Sequence, residues 1–87
     1  MIGKMTVRLE IGLGCPPGSP RPSDLLPGVL EGTGVRIDPT ETTSRFFGDW
    51  TWAVPSDQVE AYEASRDEIA SRIQHLYEDG RIRWGQW

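Results

Sequence analysis

One cysteine and one histidine, Cys15 and His75, are the side chains in this 87-residue chain best suited to covalent or metal chemistry. They would form a nucleophile–base pair only if the fold brought them into contact. The phase of the predicted long helix places His75 on its polar side, facing solvent. A structural zinc site needs four nitrogen or sulfur ligands, and these two residues supply only two. We find no nucleotide, metal or catalytic-triad motif, and we therefore predict a protein that is not an enzyme and has no cofactor.

Acidic side chains are concentrated in one part of the chain. The sequence holds thirteen acidic and nine basic residues, for a net charge of −4, which argues against a surface that coats DNA or anionic lipid. Residues 55–79 alone hold seven acidic and two basic residues. At 100° per residue, four of these carboxylates form one stripe on the outer side of a helix: Glu60, Glu63, Asp67 and Glu78. The stripe is suited to a basic groove, or it is a solvated helix face with Glu68–Arg72 and Glu63–Arg66 pairs.

The elements that must position these residues follow from hydrophobic periodicity. Alternation of apolar and polar residues predicts a strand over Met5–Leu13, a second over Val35–Asp38 and a third over Phe46–Val54. A final short strand is predicted over Arg81–Trp87, and Pro39–Ser44 is predicted to be a hairpin connection.

Two helices are predicted between these strands. The first is capped by Ser23 or Asp24, continues through Leu30 and is closed by Gly32. The second covers Asp57–Asp79, where the apolar residues fall within an arc of about 100°. The proline-rich segment Gly12–Pro22 is predicted to be a loop.

The resulting order β-α-β-β-α-β predicts an α+β fold of the ferredoxin-like kind, a four-stranded antiparallel sheet with two helices on one face. The length predicts one domain over residues 1–87, with residues 1–4 as a dispensable, disordered extension. In ferredoxin-like metal carriers, the loop after the first strand presents two cysteines three residues apart. Here Gly18 follows Cys15 at that spacing, which argues against copper transfer and favours a rigid turn with a free thiol.

The uncovered face of such a sheet is a second candidate surface. The segment Arg45–Trp52 is similar to the third-strand motif of the RNA recognition motif family. Arg45, Phe47, Gly48 and Trp52 match its basic, stacking, glycine and core positions, whereas Asp49 replaces its second stacking aromatic. The resemblance implies binding of single-stranded nucleic acid by stacking and phosphate contacts. The candidate residues on this face are Arg8, Arg36, Phe47, Arg81, Arg83 and Trp87.

Size and charge favour a protein partner over nucleic acid. A small acidic chain resembles the inhibitors carried by phages and mobile elements, among them anti-CRISPR proteins, many of which mask a nucleic-acid-binding site. We therefore predict an inhibitor that binds a basic protein surface through the acidic stripe, with the RNA-recognition-like module as the alternative. A homodimer through the sheet face or the last strand is a further prediction. No apolar run is long enough to cross a membrane, and the single cysteine favours the cytoplasm.

Overall fold

The chain folds as an α+β protein with a four-stranded antiparallel sheet and three α-helices, as seen in a computed structural model that describes residues 9–18 and 20–87. The strands lie in the order β2-β3-β1-β4, and each neighbouring pair is antiparallel. In chain order the elements are β1 (Glu10–Gly14), α1 (Pro22–Leu30), β2 (Ser44–Phe46), β3 (Asp49–Ala53), α2 (Val59–Ala64), α3 (Arg66–Glu78) and β4 (Trp84–Gln86), with a 3₁₀ turn at Ser56–Gln58 before α2. The α+β class and the four-stranded antiparallel sheet predicted from the sequence are confirmed.

The core lies between the sheet and the helices. Ile11 and Leu13 of β1 are fully buried, and their partners across the strand pair are Trp52 and Trp50 of β3. The helices contribute further buried side chains, which include Leu26, Val29, Tyr62, Ile69 and Ile73. Burial of each of the larger aliphatic side chains is worth about 1.5–3 kcal/mol, so this layer provides the main driving force for folding.

The opposite face of β1 carries glycine instead of a bulky side chain. A Cβ atom at Gly12 would lie 2.7 Å from Cζ3 of Trp84, and one at Gly14 would overlap Nε1 of the same indole. Trp84 is therefore packed across the backbone of β1 on the face away from the core. It was predicted to lie on the side of Ile82, which is buried in the core. The indole instead covers the two glycines and remains half-buried.

Helix α3 approaches β4 closely on the core side of the sheet. A Cβ atom at Gly85 would overlap Cγ2 of Ile73, so the absence of a side chain at this position allows the helix to contact the strand backbone. The helix ends at Glu78, and Gly80, two residues further on, has a φ of 75°. Arg81, Ile82 and Arg83 follow outside the strand, so β4 is shorter than the predicted Arg81–Trp87.

The predicted strand Val35–Asp38 is wrong, and β2 lies further along the chain. A two-residue turn at Phe47–Gly48, with φ of 50° and 84°, reverses the chain inside the segment predicted as one strand over Phe46–Val54. Ser44–Phe46 then pairs with Asp49–Thr51 and forms the edge of the sheet. Val35 is buried but belongs to no strand. The apolar pattern of residues 35–38 therefore reflects packing into the core and not pairing in the sheet.

The predicted helix Asp57–Asp79 is also interrupted. Ser65 has φ −110° and ψ 9° and separates α2 from α3. Its hydroxyl donates a hydrogen bond to the carbonyl oxygen of Thr33, at 3.1 Å. This bond ties the break between α2 and α3 to the loop that follows α1.

The first helix and first strand agree with the sequence pattern apart from their ends. Helix α1 begins at Pro22, one residue before the predicted cap, and β1 ends at Gly14. Asp24 accepts a hydrogen bond from the backbone amide of Arg21 at 3.2 Å, at the start of α1. The amino-terminal half of the predicted strand Met5–Leu13, and the predicted extension at residues 1–4, lie outside the described residues.

Substitution of Gly12 by Ala should destabilise the fold by about 1–3 kcal/mol, because the added methyl group would meet the Trp84 indole. The matched control is Gly28→Ala in α1, where a Cβ atom meets nothing within 4 Å. Alanine is favoured over glycine in a helix, so this control should be more stable by about 0.5–1 kcal/mol. Urea denaturation followed by circular dichroism measures both effects. If Gly12→Ala were as stable as the parent, the packing of Trp84 on β1 would be wrong.

Candidate binding surfaces

The four carboxylates of the predicted stripe are exposed, but they lie on two helical segments. Glu60 and Glu63 belong to α2, whereas Asp67 and Glu78 belong to α3. Within α3, the eleven-residue separation of Asp67 and Glu78 brings them to within about 20° of each other around the helix axis. The break at Ser65 means that one stripe along a single helix is wrong. We use the name acidic face for the exposed set Glu60, Glu63, Asp67 and Glu78.

The two arginines of this segment make contacts outside the acidic face. Arg72 pairs with Glu68 at 3.0 Å, as predicted, and also donates to the carbonyl oxygens of Val29 and Glu31 at the end of α1. Arg66 lies over the Tyr62 ring, with Cζ 5.9 Å from the ring centroid. Within the described part of the chain, none of the four carboxylates of the acidic face forms an ion pair, and the predicted Glu63–Arg66 pair is not formed.

Of the candidate residues of the uncovered sheet face, Arg83 lies on it, and several others lie elsewhere. Phe47 lies in the β2–β3 turn. Arg36 lies in the irregular segment after α1, where its backbone amide donates a hydrogen bond to the side-chain oxygen of Gln58. Arg81 follows the end of α3, and Arg8 lies outside the described residues. The face itself presents Trp84 over β1 and an ion pair between Arg83 and Asp49 at 2.9 Å. Trp87, at the end of the chain, is 41% exposed.

The β2–β3 turn carries two neighbouring exposed phenylalanines. Phe46 is 68% exposed and Phe47 is 84% exposed, and their ring centroids are 4.1 Å apart. Phe46 pairs with Asp49, so it lies on the opposite side of the sheet from Trp50, with which it was predicted to share a face. The turn gives the backbone of Phe47 a φ of 50°. A positive φ costs a bulky residue about 1–2 kcal/mol. Large apolar side chains so exposed are typical of binding surfaces.

A groove of about 890 Å³ lies between this turn and the proline-rich loop that follows β1. Three arginines from separate segments line it, namely Arg21, Arg45 and Arg83. Phe47, Trp50 and Cys15 also line it. The backbone amide of Cys15 donates a hydrogen bond to the carbonyl oxygen of Gly48, which joins the proline-rich loop to the turn. We call this feature the arginine groove. Local sequence patterns do not reveal this groove, because its residues are distant in the chain. The glycine after Phe47 is the single local signal for the turn.

Burial shifts the pKa of two groups in the core, the Cys15 thiol and the Tyr62 phenol. Burial raises the pKa of the Cys15 thiol above its ordinary value, and the nearby Arg83 only partly opposes this effect. Burial likewise raises the pKa of the Tyr62 phenol, although Arg66 lies close to its ring. The Tyr62 hydroxyl has no hydrogen-bond partner within the described structure. A buried thiol held in its neutral form is a poor nucleophile, which argues against a role for Cys15 in covalent chemistry. His75 is exposed near the end of α3, as its helical phase predicted.

Residues 9–18 and 20–87 contain no group of three or more His, Cys, Asp or Glu side chains placed to hold a metal ion. Over the same residues, every helix is too short or too polar to cross a lipid bilayer.

Comparison with known proteins adds no relative. No family model matches the chain, and neither a curated protein nor a solved structure shows significant similarity to it.

We expect the free energy of unfolding to fall as the pH rises above 9.0, the ordinary pKa of the Cys15 thiol. In the unfolded chain the thiol ionises near this pH, whereas in the folded chain its raised pKa keeps it neutral, so ionisation favours the unfolded state. Tyr62 adds to the same trend above its ordinary value of 10.0. Urea titrations at several pH values measure this slope.

Cys15→Ala should reduce the slope between pH 9 and 10, and Tyr62→Phe should reduce it only above pH 10. The change of stability with pH is the relevant quantity, because Cys15→Ala also leaves a small cavity that lowers stability at every pH. An unchanged slope in Cys15→Ala would contradict the burial of the thiol.

Proposed function

We propose that this chain is a non-enzymatic binding protein that acts by contact between its acidic face and a basic surface on another protein. The observation that carries the proposal is the uncompensated charge of this face. Residues 55–79 contain seven acidic and two basic residues, of which Arg72 pairs with Glu68 and Arg66 lies over the Tyr62 ring. Glu60, Glu63, Asp67 and Glu78 are thereby left exposed and free of ion pairs with described residues.

Electrostatics of this kind chiefly affects the rate and the choice of partner. A surface of one charge sign steers a partner of the opposite sign during encounter, and the effect weakens as salt screens the charges. A basic surface on a protein is commonly built to hold nucleic acid, whose phosphates dominate binding. We therefore propose an inhibitor that masks such a surface, in the manner of anti-CRISPR proteins. The support for this class is the small size, the net charge of −4 and the exposed carboxylates.

We further propose that the fold is ferredoxin-like. In this fold α1 would be the first of the two helices, and α2 together with α3 would take the place of the second. In this arrangement β1 and β3 occupy the centre of the sheet, and β1 is antiparallel to both of its neighbours. The order β2-β3-β1-β4 and the antiparallel pairing support it. A cytoplasmic location is also proposed, because the single cysteine is unpaired and buried, which suits a reducing compartment.

Charge reversal on the acidic face tests the proposed function. We expect Glu63→Lys/Asp67→Lys to slow association with the partner by roughly tenfold or more at low salt, because steering contributes 10–10³-fold to association rates. The partner is first isolated from nuclease-treated lysate with the parent chain as bait, identified by mass spectrometry and purified. Association rates are then measured by surface plasmon resonance at two salt concentrations.

The matched control is Glu31→Lys/Glu41→Lys, which changes the net charge equally at two exposed residues outside the acidic face. We expect this control to bind nearly as fast as the parent, with circular dichroism confirming that all three proteins are folded. Equal association rates for the Glu63/Asp67 variant and the parent would overturn the proposal. Loss of every retained protein on nuclease treatment would overturn it too, in favour of nucleic acid.

A further inference from the structure

We propose that the arginine groove binds a small ligand that joins a phosphate group to a planar aromatic ring, as a nucleotide does. This site is separate from the acidic face, and the inference goes beyond the proposed function. It depends on three properties of the groove, namely the sign of its charge, the orientation of its arginines and its exposed aromatic wall.

The charge of the groove is opposite to that of the chain. Every charged side chain among its described lining residues is an arginine, although acidic residues outnumber basic ones in the whole sequence. Arg21, Arg45 and Arg83 reach it from the start of α1, from β2 and from the segment before β4. Asp49 pairs with Arg83, and Asp49 and Asp24 both lie near enough to act on Cys15 in the groove wall. The three arginines outnumber these two carboxylates, and the excess positive charge favours an anion. A guanidinium also matches a phosphate with paired hydrogen bonds.

Two of the three arginines are held in place without losing their capacity to bind an anion. Arg45 lies over the Trp50 ring, with Cζ 5.0 Å from the ring centroid, and this contact uses none of its N–H groups. Arg83 is oriented by one carboxylate oxygen of Asp49 at 2.9 Å, and a guanidinium carries five N–H donors. Side chains that are already oriented lose less conformational entropy on binding, which strengthens affinity.

The aromatic wall supplies the second half of the recognition. Phe47 lines the groove and is 84% exposed, and the Phe46 ring packs beside it. An exposed ring at a turn offers a face for stacking with another aromatic ring. The volume of about 890 Å³ lies within the 300–1,000 Å³ that small-molecule sites occupy. Charge and stacking together favour an aromatic phosphate over a simple anion.

Isothermal titration calorimetry with AMP, adenosine and inorganic phosphate tests the proposal on the full chain. We expect AMP to bind at least tenfold more tightly than adenosine or phosphate, because it alone engages both the arginines and the Phe47 ring. Arg45→Ala and Arg21→Ala should each weaken AMP binding by about tenfold. Phe47→Asn should have a similar effect, since asparagine accepts the positive φ of the turn and removes the ring.

Matched controls remove the same side-chain types from outside the groove. Arg36→Ala and Arg81→Ala delete exposed arginines, and Tyr77→Ala deletes an aromatic residue that is 55% exposed. These three variants should bind AMP as the parent does. Absence of AMP binding at millimolar concentration overturns the proposal, as does equal binding by the groove variants and the controls. Tighter binding of a glutamate-rich peptide than of AMP, measured by competition between the two, would also overturn the proposal. That result would identify the ligand as an acidic peptide.

Discussion

The central strand β1 must satisfy neighbours on both of its edges and on both of its faces. It pairs with β3 on one edge and with β4 on the other. On one face Ile11 and Leu13 enter the core, and on the other face the two glycines leave room for the Trp84 indole. Its alternation of apolar residues and glycine is therefore a packing requirement. The position of β4, and with it the approach of α3 to Gly85, depends on that alternation.

The same strand also connects the fold to the arginine groove. Immediately after β1, the Cys15 amide bonds the carbonyl oxygen of Gly48, which ties the β2–β3 turn to the start of the proline-rich loop. The Arg83 amide bonds the carbonyl oxygen of Gly14, which brings the segment before β4 to the same end of the sheet. Residues distant in sequence thus meet there. The groove results from these backbone contacts. Its arginines belong to separate segments, which are positioned by their packing against the rest of the protein.

Charged residues of the two signs have different structural roles in this protein. Arg72 and Arg66 of the helical segment contact the end of α1 and the Tyr62 ring, and in the described structure neither forms an ion pair with the acidic face. At the other surface, Arg45 lies against Trp50 and remains exposed. The net charge of −4 therefore conceals one acidic surface and one basic groove. This separation, more than the net charge, indicates how the protein would interact with charged partners.

Periodicity in the sequence determined the fold class, the first helix and the existence of β1, β3 and the long helical region, because burial of one face imposes a regular spacing on apolar residues. It also identified which carboxylates are exposed and the pairing of Glu68 with Arg72. It could not locate the break at Ser65, whose hydroxyl contacts a loop distant in the chain, or the origin of β2, which depends on a turn with positive φ at Phe47. The arginine groove and the place of Trp84 were decided by tertiary structure alone. Contacts between residues far apart in the chain depend on how the elements pack, and local spacing carries no record of that packing.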